Sequence, residues 1–299
     1  MEKDRLYACC PVCRSEKIID LQKHVRGCDQ AKVFYCRNCQ HGFLTDCTLG
    51  NDYYRKEYDT FLSERSKDTS WMSPKEHVQK RFCEARERIQ WLSHYIKFGD
   101  AESILELGCS SGAFLLALKE LYPEKNIQGV EPSDMHRQCA LDLSLKVASS
   151  NMELKGAKFD VIIAFFVLEH ILNPGAWLKE LCLFADKGSR ILMIVPNGRE
   201  ALVSTYPKSN YDQFVWQAPH VSYFSQASLE LLFKKNIGRS AKVYQYQRYS
   251  LNNHLNWLSG IKPEREETYP HVSETVDTEY KRSLVTHGIA DTLLGVVSV

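Results

Sequence analysis

The chain has 299 residues, of which 44% are hydrophobic and 25% are charged, a composition typical of a globular protein with an apolar core. Its net charge of +1 provides no overall attraction to nucleic acid or to an anionic membrane, which argues against both as partners. No apolar run approaches the roughly 18 residues that a membrane span needs.

The N-terminal segment is charged where a secretory signal would be apolar. Residues 1–5 are mostly acidic or basic and lead directly into cysteines, so we expect a cytoplasmic protein. Without a secretory signal, closely spaced cysteines more often hold a metal ion than form disulfides. The scattered cysteines are expected to pack in the core: Cys83, Cys109, Cys139 and Cys182.

Two cysteine pairs of the form C-x2-C stand in the first forty residues. Cys10 and Cys13 form the first pair, and Cys36 and Cys39 form the second. Each pair can direct two thiolates at one point, and four thiolates in a tetrahedral arrangement suit Zn²⁺. The pattern predicts a structural zinc site in a zinc-ribbon-like module over residues 1–60, which the metal stabilises.

The segments between and after the cysteine pairs indicate short strands and contain further residues that could bind a metal. Residues 17–21 and 32–35 alternate as short strands do, which predicts hairpins around the metal. Four thiolates fill a closed site and leave no position for water, so a catalytic zinc is not expected. Five further residues are alternative ligands that we expect to stay outside the site: Cys9, which could replace its neighbour, His24, Cys28, His41 and Cys47.

A helical linker is expected over residues 61–100. The stretch 77–98 carries apolar residues at nearly helical spacing. This spacing predicts a helix that packs on the following domain or covers a bound cofactor. An aromatic cluster precedes it: Tyr53, Tyr54, Tyr58 and Phe61.

The next segment has the pattern of a strand, a glycine turn and a helix. Residues 103–107 predict a buried strand, Gly108 and Gly112 bound the turn, and 113–121 predict the helix. The glycines let the backbone approach a ligand, and the helix N-terminus offers unpaired N–H groups. Glu106 stands at the end of the strand, where a carboxylate would repel a phosphate and attract a cationic amine.

Strands and helices then alternate. Further strands are predicted at 126–130, 146–148, 159–165 and 189–195, with a helix from 173 to about 186. This alternation predicts an α/β fold with a Rossmann-like, doubly wound and mostly parallel sheet that binds ligands at the carboxyl ends of its strands. Glu131 follows the second strand, where an acid accepts hydrogen bonds from ribose hydroxyls. Polar motifs stand at the ends of four consecutive strands, which predicts a nucleoside site along that edge.

Three motifs resemble those of the Rossmann-like class I S-adenosylmethionine (SAM) dependent methyltransferases. They occupy residues 104–115, 129–133 and 159–170. The order of cysteine pairs, aromatic linker and SAM domain, together with the segment 219–225, is similar to bacterial methyltransferases of nucleotide-linked sugars, including sugar C-methyltransferases. The resemblance implies SAM as cofactor, a SAM-binding domain over 101–260, and a nucleotide sugar or polysaccharide-precursor sugar as methyl acceptor.

The same resemblance implies roles for single residues. The residues expected to bind SAM are Glu106, Gly108, Cys109, Ser110, Gly112, Glu131, Pro132, Asn151, Met152 and Phe166. The methionine part would be held by Glu106, Gly108 and Gly112. Glu131 would bind the ribose hydroxyls, and Asn151 or Met152 would border the adenine. The methyl-donor side would be lined by Phe166 and His170. In the alternative interpretation, the glycines only allow a tight turn, and Glu131 only stabilises the N-terminus of a helix without binding a ligand.

Four residues are candidates for moving a proton. Methyl transfer is an in-line displacement at a sulfonium carbon, and a general base assists it when the acceptor is a hydroxyl or an acidic C–H. The candidates are His220, His170, His254 and Tyr223. Each has a structural alternative as a hydrogen-bonded side chain, and no base is needed for an acceptor that is already anionic.

Two later segments are less specific. The insertion 198–219 is polar and aromatic, which is typical of a substrate lid or of a solvated surface loop. A helix is expected at 226–235 and a strand at 242–249. Residues 261–299 are expected to form a helical extension, because apolar residues in 278–297 have helical spacing; it would cap the domain or join a dimer.

Two other functions compete with methylation of a small molecule. An RNA methyltransferase would also place a zinc module before its catalytic domain, but the sequence has no dense basic stripe for RNA. A non-catalytic protein would use the zinc module to bind a partner and the α/β domain as a scaffold. The glycines and acids of the predicted cofactor site argue against that alternative.

Overall fold

The computed structural model of the chain describes residues 9–45, 74–206, 209–239, 241–261 and 268–299. The predicted aromatic cluster (Tyr53, Tyr54, Tyr58 and Phe61) and the alternative ligand Cys47 lie outside these residues. None of the helices in the described ranges combines the length and apolar character required to cross a lipid bilayer.

Strands and helices alternate through the central part of the chain. The strands are β1 (Ile18–Asp20), β2 (Lys32–Cys36), β3 (Gly42–Thr45), β4 (Ser103–Leu107), β5 (Asn126–Val130), β6 (Lys146–Ala148), β7 (Phe159–Phe165), β8 (Ala185–Pro196), β9 (Ser222–Tyr223), β10 (Lys242–Tyr246) and β11 (Thr292–Ser298). The α-helices are α1 (Pro74–Leu92), α2 (Ala113–Leu121), α3 (Asp134–Asp142), α4 (Pro174–Leu181), α5 (Ala201–Ser204), α6 (Asn210–Val215), α7 (Gln226–Ile237), α8 (Leu251–Leu258) and α9 (Glu274–Thr286).

The strands form two sheets. The larger has seven strands in the order β10-β11-β8-β7-β4-β5-β6, and β4 pairs in parallel with both β5 and β7. Leu105 of β4 lies opposite Gln128 of β5 and Ile162 of β7. The smaller sheet has the order β1-β2-β3-β9 and is antiparallel. The mostly parallel seven-stranded sheet with its helices confirms the predicted α/β fold class.

Contacts divide the chain into two compact units, each built from several chain segments. The cysteine unit comprises the described parts of Met1–Thr48, Leu168–Leu178 and Met193–Gly295. The central unit comprises those of Leu49–Val167, Lys179–Leu192 and Val296–Val299. The predicted boundaries at 60, 100 and 260 do not coincide with these units, and they remain a prediction about separable domains.

Strand β4 is the centre of the core in the central unit. It has neighbours on both sides and is buried along Ile104–Leu107, which explains why its sequence is an almost continuous apolar run. Each fully buried side chain of this kind contributes about 1.5–3 kcal/mol to folding. The largest fully buried side chains of the central unit outside β4 are Leu92, Phe98, Leu115, Leu118, Phe159, Ile162 and Ile163.

In the cysteine unit, the small sheet joins the N-terminal segment to a segment almost two hundred residues later. Strand β3 pairs with β9, where Gly42 lies opposite Tyr223 and Phe43 opposite Ser222. A β-carbon at Gly42 would lie only 3.1 Å from Cβ of Tyr223, so the close approach of these strands favours glycine.

Two sequence predictions require correction. The helix expected up to residue 186 ends at Leu181, and β8 begins at Ala185, four residues before the predicted start. The extension 261–299 is not wholly helical, because α9 ends before Gly288 and β11 follows in the large sheet. Gly288 has a positive φ of 71° that stops the helix, and the apolar, partly β-branched run of β11 suits a buried strand.

Candidate functional site

The turn between β4 and α2 requires glycine at both of its ends. Gly108 has φ +68°, and a β-carbon there would lie 2.5 Å from Cγ2 of Val167. Gly112 has φ +85°, and its β-carbon would lie 2.5 Å from Cδ1 of Leu145. Real β-carbons do not tolerate such distances, so the turn brings backbone close to packed side chains where no larger residue fits.

Glu106 places a buried carboxylate beside this turn. Only 4% of the residue is exposed, and no described residue donates a hydrogen bond to Oε2. Burial raises the pKa of Glu106 to about 8; the positive charge of Arg88 lowers it, and the negative charge of Glu131 raises it. A buried acceptor without a donor is costly, and a cationic ligand group would satisfy it.

Glu131 fixes the turn from the end of β5. Its Oε2 accepts a hydrogen bond from the backbone N–H of Ser110, and its Oε1 accepts one from the N–H of Ser133, both over 2.8 Å. A carboxylate offers about four lone-pair directions, so it can accept hydrogen bonds from ribose hydroxyls as well as from backbone N–H groups. The acid therefore has a structural role in the turn in addition to the predicted ligand role, and Pro132 follows it on the surface.

The remaining predicted cofactor residues are also in the central unit. Met152 is 75% exposed, and Asn151 donates from Nδ2 to Oε1 of Glu180 over 3.2 Å. Phe166 has φ +56°, an uncommon conformation for a bulky residue that often marks a functional position. The thiol of Cys109 faces Gly129, where a β-carbon would lie 2.5 Å from Sγ, so its side chain packs on β5.

Arg88 is a residue that the sequence did not single out. It lies on α1, with its guanidinium 5.1 Å from the ring centre of Phe165, and its charge lowers the pKa of Glu106. The helical periodicity of α1 predicted only its apolar face. No sequence signal separated Arg88 from the other charged residues on the opposite face.

The four predicted metal ligands converge in the cysteine unit. The Sγ atoms of Cys10, Cys13, Cys36 and Cys39 all lie within 4.8 Å of one another. Two of the separations are 3.6 Å, between Cys10 and Cys39, and 3.4 Å, between Cys13 and Cys36. These are close to the roughly 3.8 Å expected between thiolates around a tetrahedral Zn²⁺ and are too long for a disulfide. The cluster includes none of Cys9, His24, Cys28 and His41.

His41 has a packing role beside this cluster. Its ring is fully buried and stacks near Phe43 and Phe224, at centroid distances of 6.0 and 4.9 Å. Burial lowers the pKa of His41 to about 3, so the ring is neutral. We find no described hydrogen-bond partner for either ring nitrogen.

The segment between the cysteine pairs anchors the insertion 198–219. Arg26 donates from Nε to the carbonyl of Phe214 over 2.8 Å and from Nη2 to Oε1 of Gln217 over 3.0 Å. Lys23 forms an ion pair of 2.6 Å with Asp212. The insertion is thus folded onto the N-terminal segment within this unit and is not a simple solvated loop.

His170 and His220 come together with an acid that the sequence did not single out. Their ring centres are 4.9 Å apart, and the ligand atoms of Glu169, His170 and His220 all lie within 4.8 Å of one another. Glu169 is 1% exposed, and burial raises its pKa to about 8, while the charge of Arg248 lowers it. The sequence signal that could have identified Glu169 is its position next to His170.

The other two proton-transfer candidates make bonds that favour structural roles. The hydroxyl of Tyr223 accepts from the N–H of Gln217 over 2.9 Å and donates to the carbonyl of Val215 over 3.3 Å. His254 is 1% exposed, with Nδ1 2.6 Å from the hydroxyl of Tyr280. Burial lowers the pKa of His254 to about 4. The two lie in the cysteine unit with His170 and His220, but only the latter pair shares a cluster with an acid among the described residues.

Comparison with known proteins gives a family match. A sequence model described as a methyltransferase domain matches residues 75–236, which is more than half of the chain. No curated protein sequence matches the chain.

The chain is also similar to solved structures of methyltransferases. The structure of the plantazolicin methyltransferase BpumL in complex with S-adenosylhomocysteine (SAH) is similar over 83% of this chain and 93% of that chain, with 16% identity and a TM-score of 0.50. A possible histamine N-methyltransferase from Thermotoga maritima covers 81% of this chain and 97% of its own, with 20% identity and a TM-score of 0.49. A SAM-dependent methyltransferase from Archaeoglobus fulgidus is similar over 80% of this chain and 99% of that chain, with 18% identity and a TM-score of 0.49.

Proposed function

We propose, from the premise that this chain belongs to the methyltransferase-domain family and is a SAM-dependent methyltransferase, that its methyl acceptor is a nucleotide-linked or polysaccharide-precursor sugar. Two sequence features support this acceptor: the cysteine pairs ahead of the catalytic domain and the segment 219–225. A net charge of +1 argues against RNA as the acceptor.

The observation that carries the proposed cofactor site is the buried carboxylate of Glu106 beside a turn that only glycine fits. Its Oε2 receives no hydrogen bond from a described residue, and Gly108 keeps the adjoining backbone without a side chain. An ammonium group bound there would neutralise the carboxylate and supply the missing donor. The methionine part of SAM carries such a group.

Different residues of the central unit are then proposed to bind different parts of SAM. SAM, when bound, supplies an electrophilic methyl group on a positively charged sulfur. Glu106 attracts the amino group, and Glu131 accepts hydrogen bonds from the ribose hydroxyls. Asn151 or Met152 borders the adenine, and Phe166 lines the methyl-donor side. Holding the donor in a fixed orientation supplies a large part of the rate of an in-line displacement.

The cysteine unit is proposed to hold a structural zinc ion. The convergence of four thiolates supports this metal, because a closed S4 set suits Zn²⁺. The ion would stabilise a segment that anchors the insertion through Arg26 and Lys23.

The acceptor proton is proposed to leave through the group formed by Glu169, His170 and His220. These three side chains share one cluster, whereas Tyr223 and His254 are held by the bonds described above. We therefore rank the histidine pair above the other two candidates.

The test supplies labelled SAM together with panels of nucleotide sugars and of RNA. Label transferred to a sugar nucleotide supports the proposal, whereas label transferred to RNA replaces the proposed acceptor. A preliminary measurement is the melting temperature with SAH, because a ligand that binds only the folded state raises it. No SAH-dependent shift and no transfer to any acceptor would contradict the cofactor site.

A further inference from the structure

We propose that Glu169, His170 and His220 bind a divalent transition-metal ion, at a second site distinct from the four cysteines. Both sites lie within the cysteine unit. Glu169 and His170 are adjacent in sequence, in a short 3₁₀ turn, and His220 reaches the same point from a segment fifty residues later.

The first argument is the state of the Glu169 carboxylate. The residue is 1% exposed, and no other described residue donates a hydrogen bond to either of its oxygens. A fully buried acidic group needs a cation, a donor or a proton of its own to offset the loss of water. Its oxygen lies within 4.8 Å of a nitrogen on each of two histidines, which is the environment of a metal ligand.

The second argument is the orientation of His170. Its Nδ1 lies 2.9 Å from the carbonyl oxygen of Pro219, and a carbonyl can only accept, so Nδ1 carries the hydrogen. A neutral ring with hydrogen on Nδ1 has its lone pair on Nε2. Metal-binding histidines commonly donate their second N–H to a backbone carbonyl in this way, which fixes both tautomer and ring direction.

The third argument is the support behind His220. The amide nitrogen of Gln217 lies 2.9 Å from Nε2 and 3.1 Å from Nδ1 of His220, and Arg26 holds the amide oxygen of Gln217 over 3.0 Å. The amino group of Gln217 therefore faces the ring. An amide nitrogen at nearly equal distances from both ring nitrogens lies over the ring and not along a ring lone pair, so this contact restricts how the ring can rotate.

Two imidazoles and one carboxylate define the class of ion. This ligand set suits Fe²⁺, Zn²⁺ or Mn²⁺ and leaves coordination positions for a substrate oxygen or water, unlike the closed set of four thiolates. It does not suit Mg²⁺ or Ca²⁺, which prefer oxygen ligands only.

The role of this ion rests on the proposed methyltransferase function. An acceptor hydroxyl bound to the ion would release its proton to solvent, because a metal ion lowers the pKa of a bound hydroxyl group. The group formed by Glu169, His170 and His220 would thus promote loss of the acceptor proton as ligands of the ion, and neither histidine would itself act as the general base.

The test is a titration of the metal-free full-length protein with Co²⁺, which reports on both sites in one spectrum. A thiolate site gives an intense sulfur-to-cobalt charge-transfer band, and a site of imidazole and carboxylate does not. We expect one equivalent with that band and one without it. In Glu169→Gln and His220→Gln, the second equivalent should bind at least about a hundredfold more weakly, while the thiolate band is retained and shows that the unit is folded.

Two exposed residues provide matched controls, Glu120→Gln and His94→Gln, and both variants should bind two equivalents. The proposal is overturned if wild-type protein binds cobalt only at the thiolate site, or if the Glu169 and His220 variants bind the second equivalent as tightly as wild type. Failure of the methyltransferase proposal would appear separately, as absent SAH binding, and would not alter the cobalt count.

Discussion

The guanidinium of Arg26 donates a hydrogen bond to Oε1 of Gln217 over 3.0 Å. Because the amide oxygen is held, the amino group of Gln217 faces the ring of His220. The segment between the cysteine pairs thus supports a histidine that lies almost two hundred residues later. The four cysteines and the group formed by Glu169, His170 and His220 thus lie in one compact unit.

Replacing Arg26 should loosen this support. In Arg26→Gln we expect the amide hydrogens of the insertion to exchange faster. We also expect the free energy of unfolding to fall by about 1.5–3 kcal/mol, because charge-assisted hydrogen bonds are lost. Hydrogen-exchange mass spectrometry and urea unfolding measure the two effects. Arg37→Gln is the control, since Arg37 is exposed in the same segment. Equal exchange in both variants would show that Arg26 does not hold the insertion.

Glu106→Gln should change how the stability of the ligand-free protein depends on pH. Burial raises the pKa of Glu106 to about 8, so the folded state holds a proton more tightly than the unfolded state. The resulting stabilisation is complete below the ordinary pKa of 4.5 and is lost as the pH rises to about 8. The variant has no carboxyl group at this position, so its free energy of unfolding should not fall over this range. We therefore expect the difference in free energy of unfolding between the variant and wild type to shift by a few kcal/mol in favour of the variant between about pH 5 and about pH 8.

Urea unfolding of wild type and Glu106→Gln at several pH values in this range measures the difference. Glu120→Gln, on the exposed face of α2, serves as the control and should follow wild type. If the difference between Glu106→Gln and wild type is independent of pH, Glu106 does not titrate as a buried group.

Glu131→Ala should abolish the rise in melting temperature that SAH produces. The substitution removes the proposed ribose acceptor and also leaves the N–H groups of Ser110 and Ser133 without their carboxylate. Each lost backbone bond costs about 1–3 kcal/mol, so a lower melting temperature without ligand is expected as well. Glu124→Ala is exposed and should keep the full shift. An undiminished SAH shift in Glu131→Ala would remove Glu131 from the cofactor site.

Gly108→Ala should be more destabilising than an alanine at a glycine with similar backbone geometry. Gly156 has φ +87° and open space around its β-carbon, so Gly156→Ala measures the backbone cost alone, about 1–2 kcal/mol. Gly108→Ala adds the 2.5 Å contact with Val167, which should cost a further 1–3 kcal/mol or so.

The double variant Gly108→Ala with Val167→Ala separates the two contributions. Removing Cγ2 of Val167 takes away the contact, so Gly108→Ala, measured against Val167→Ala alone, should cost about as much as Gly156→Ala costs in wild type. Chemical denaturation of these variants provides the comparison. Similar stabilities for Gly108→Ala and Gly156→Ala would mean that the turn shifts to accept a side chain.

Cys39→Ser should lose the thiolate-bound metal. Its Sγ belongs to the four-sulfur cluster, whereas Cys28, in the same segment, lies outside it and provides the control as Cys28→Ser. We expect about one zinc per chain, detected as thiolate-bound metal, in wild type and in the control. Cobalt spectroscopy and hydrogen exchange of β1–β3 report the loss of metal and the loosening of the sheet. A thiolate band of full intensity in Cys39→Ser would exclude Cys39 as a ligand.

The local sequence predicted the central elements well. The bounds of β4, α2, β5, β6 and β7 agree with the predicted strands and helix, because glycine turns and short apolar runs are signals carried by neighbouring residues. The same reasoning failed at the C-terminus, where the apolar residues of β11 continued the helical phase of α9. Only the positive φ of Gly288 and the place of β11 in the large sheet separate the two elements.

The sequence alone also determined which chemistry is present: a glycine turn flanked by acids, two closely spaced cysteine pairs, and histidines after strand ends. These are properties of spacing along the chain, and spacing is preserved whatever the distant segments do. Tertiary structure alone decided that Glu169 is buried beside His170 and His220, and that Gln217 and Arg26 support the latter. Burial and convergence arise from contacts between residues separated by fifty to two hundred positions, which no local pattern encodes.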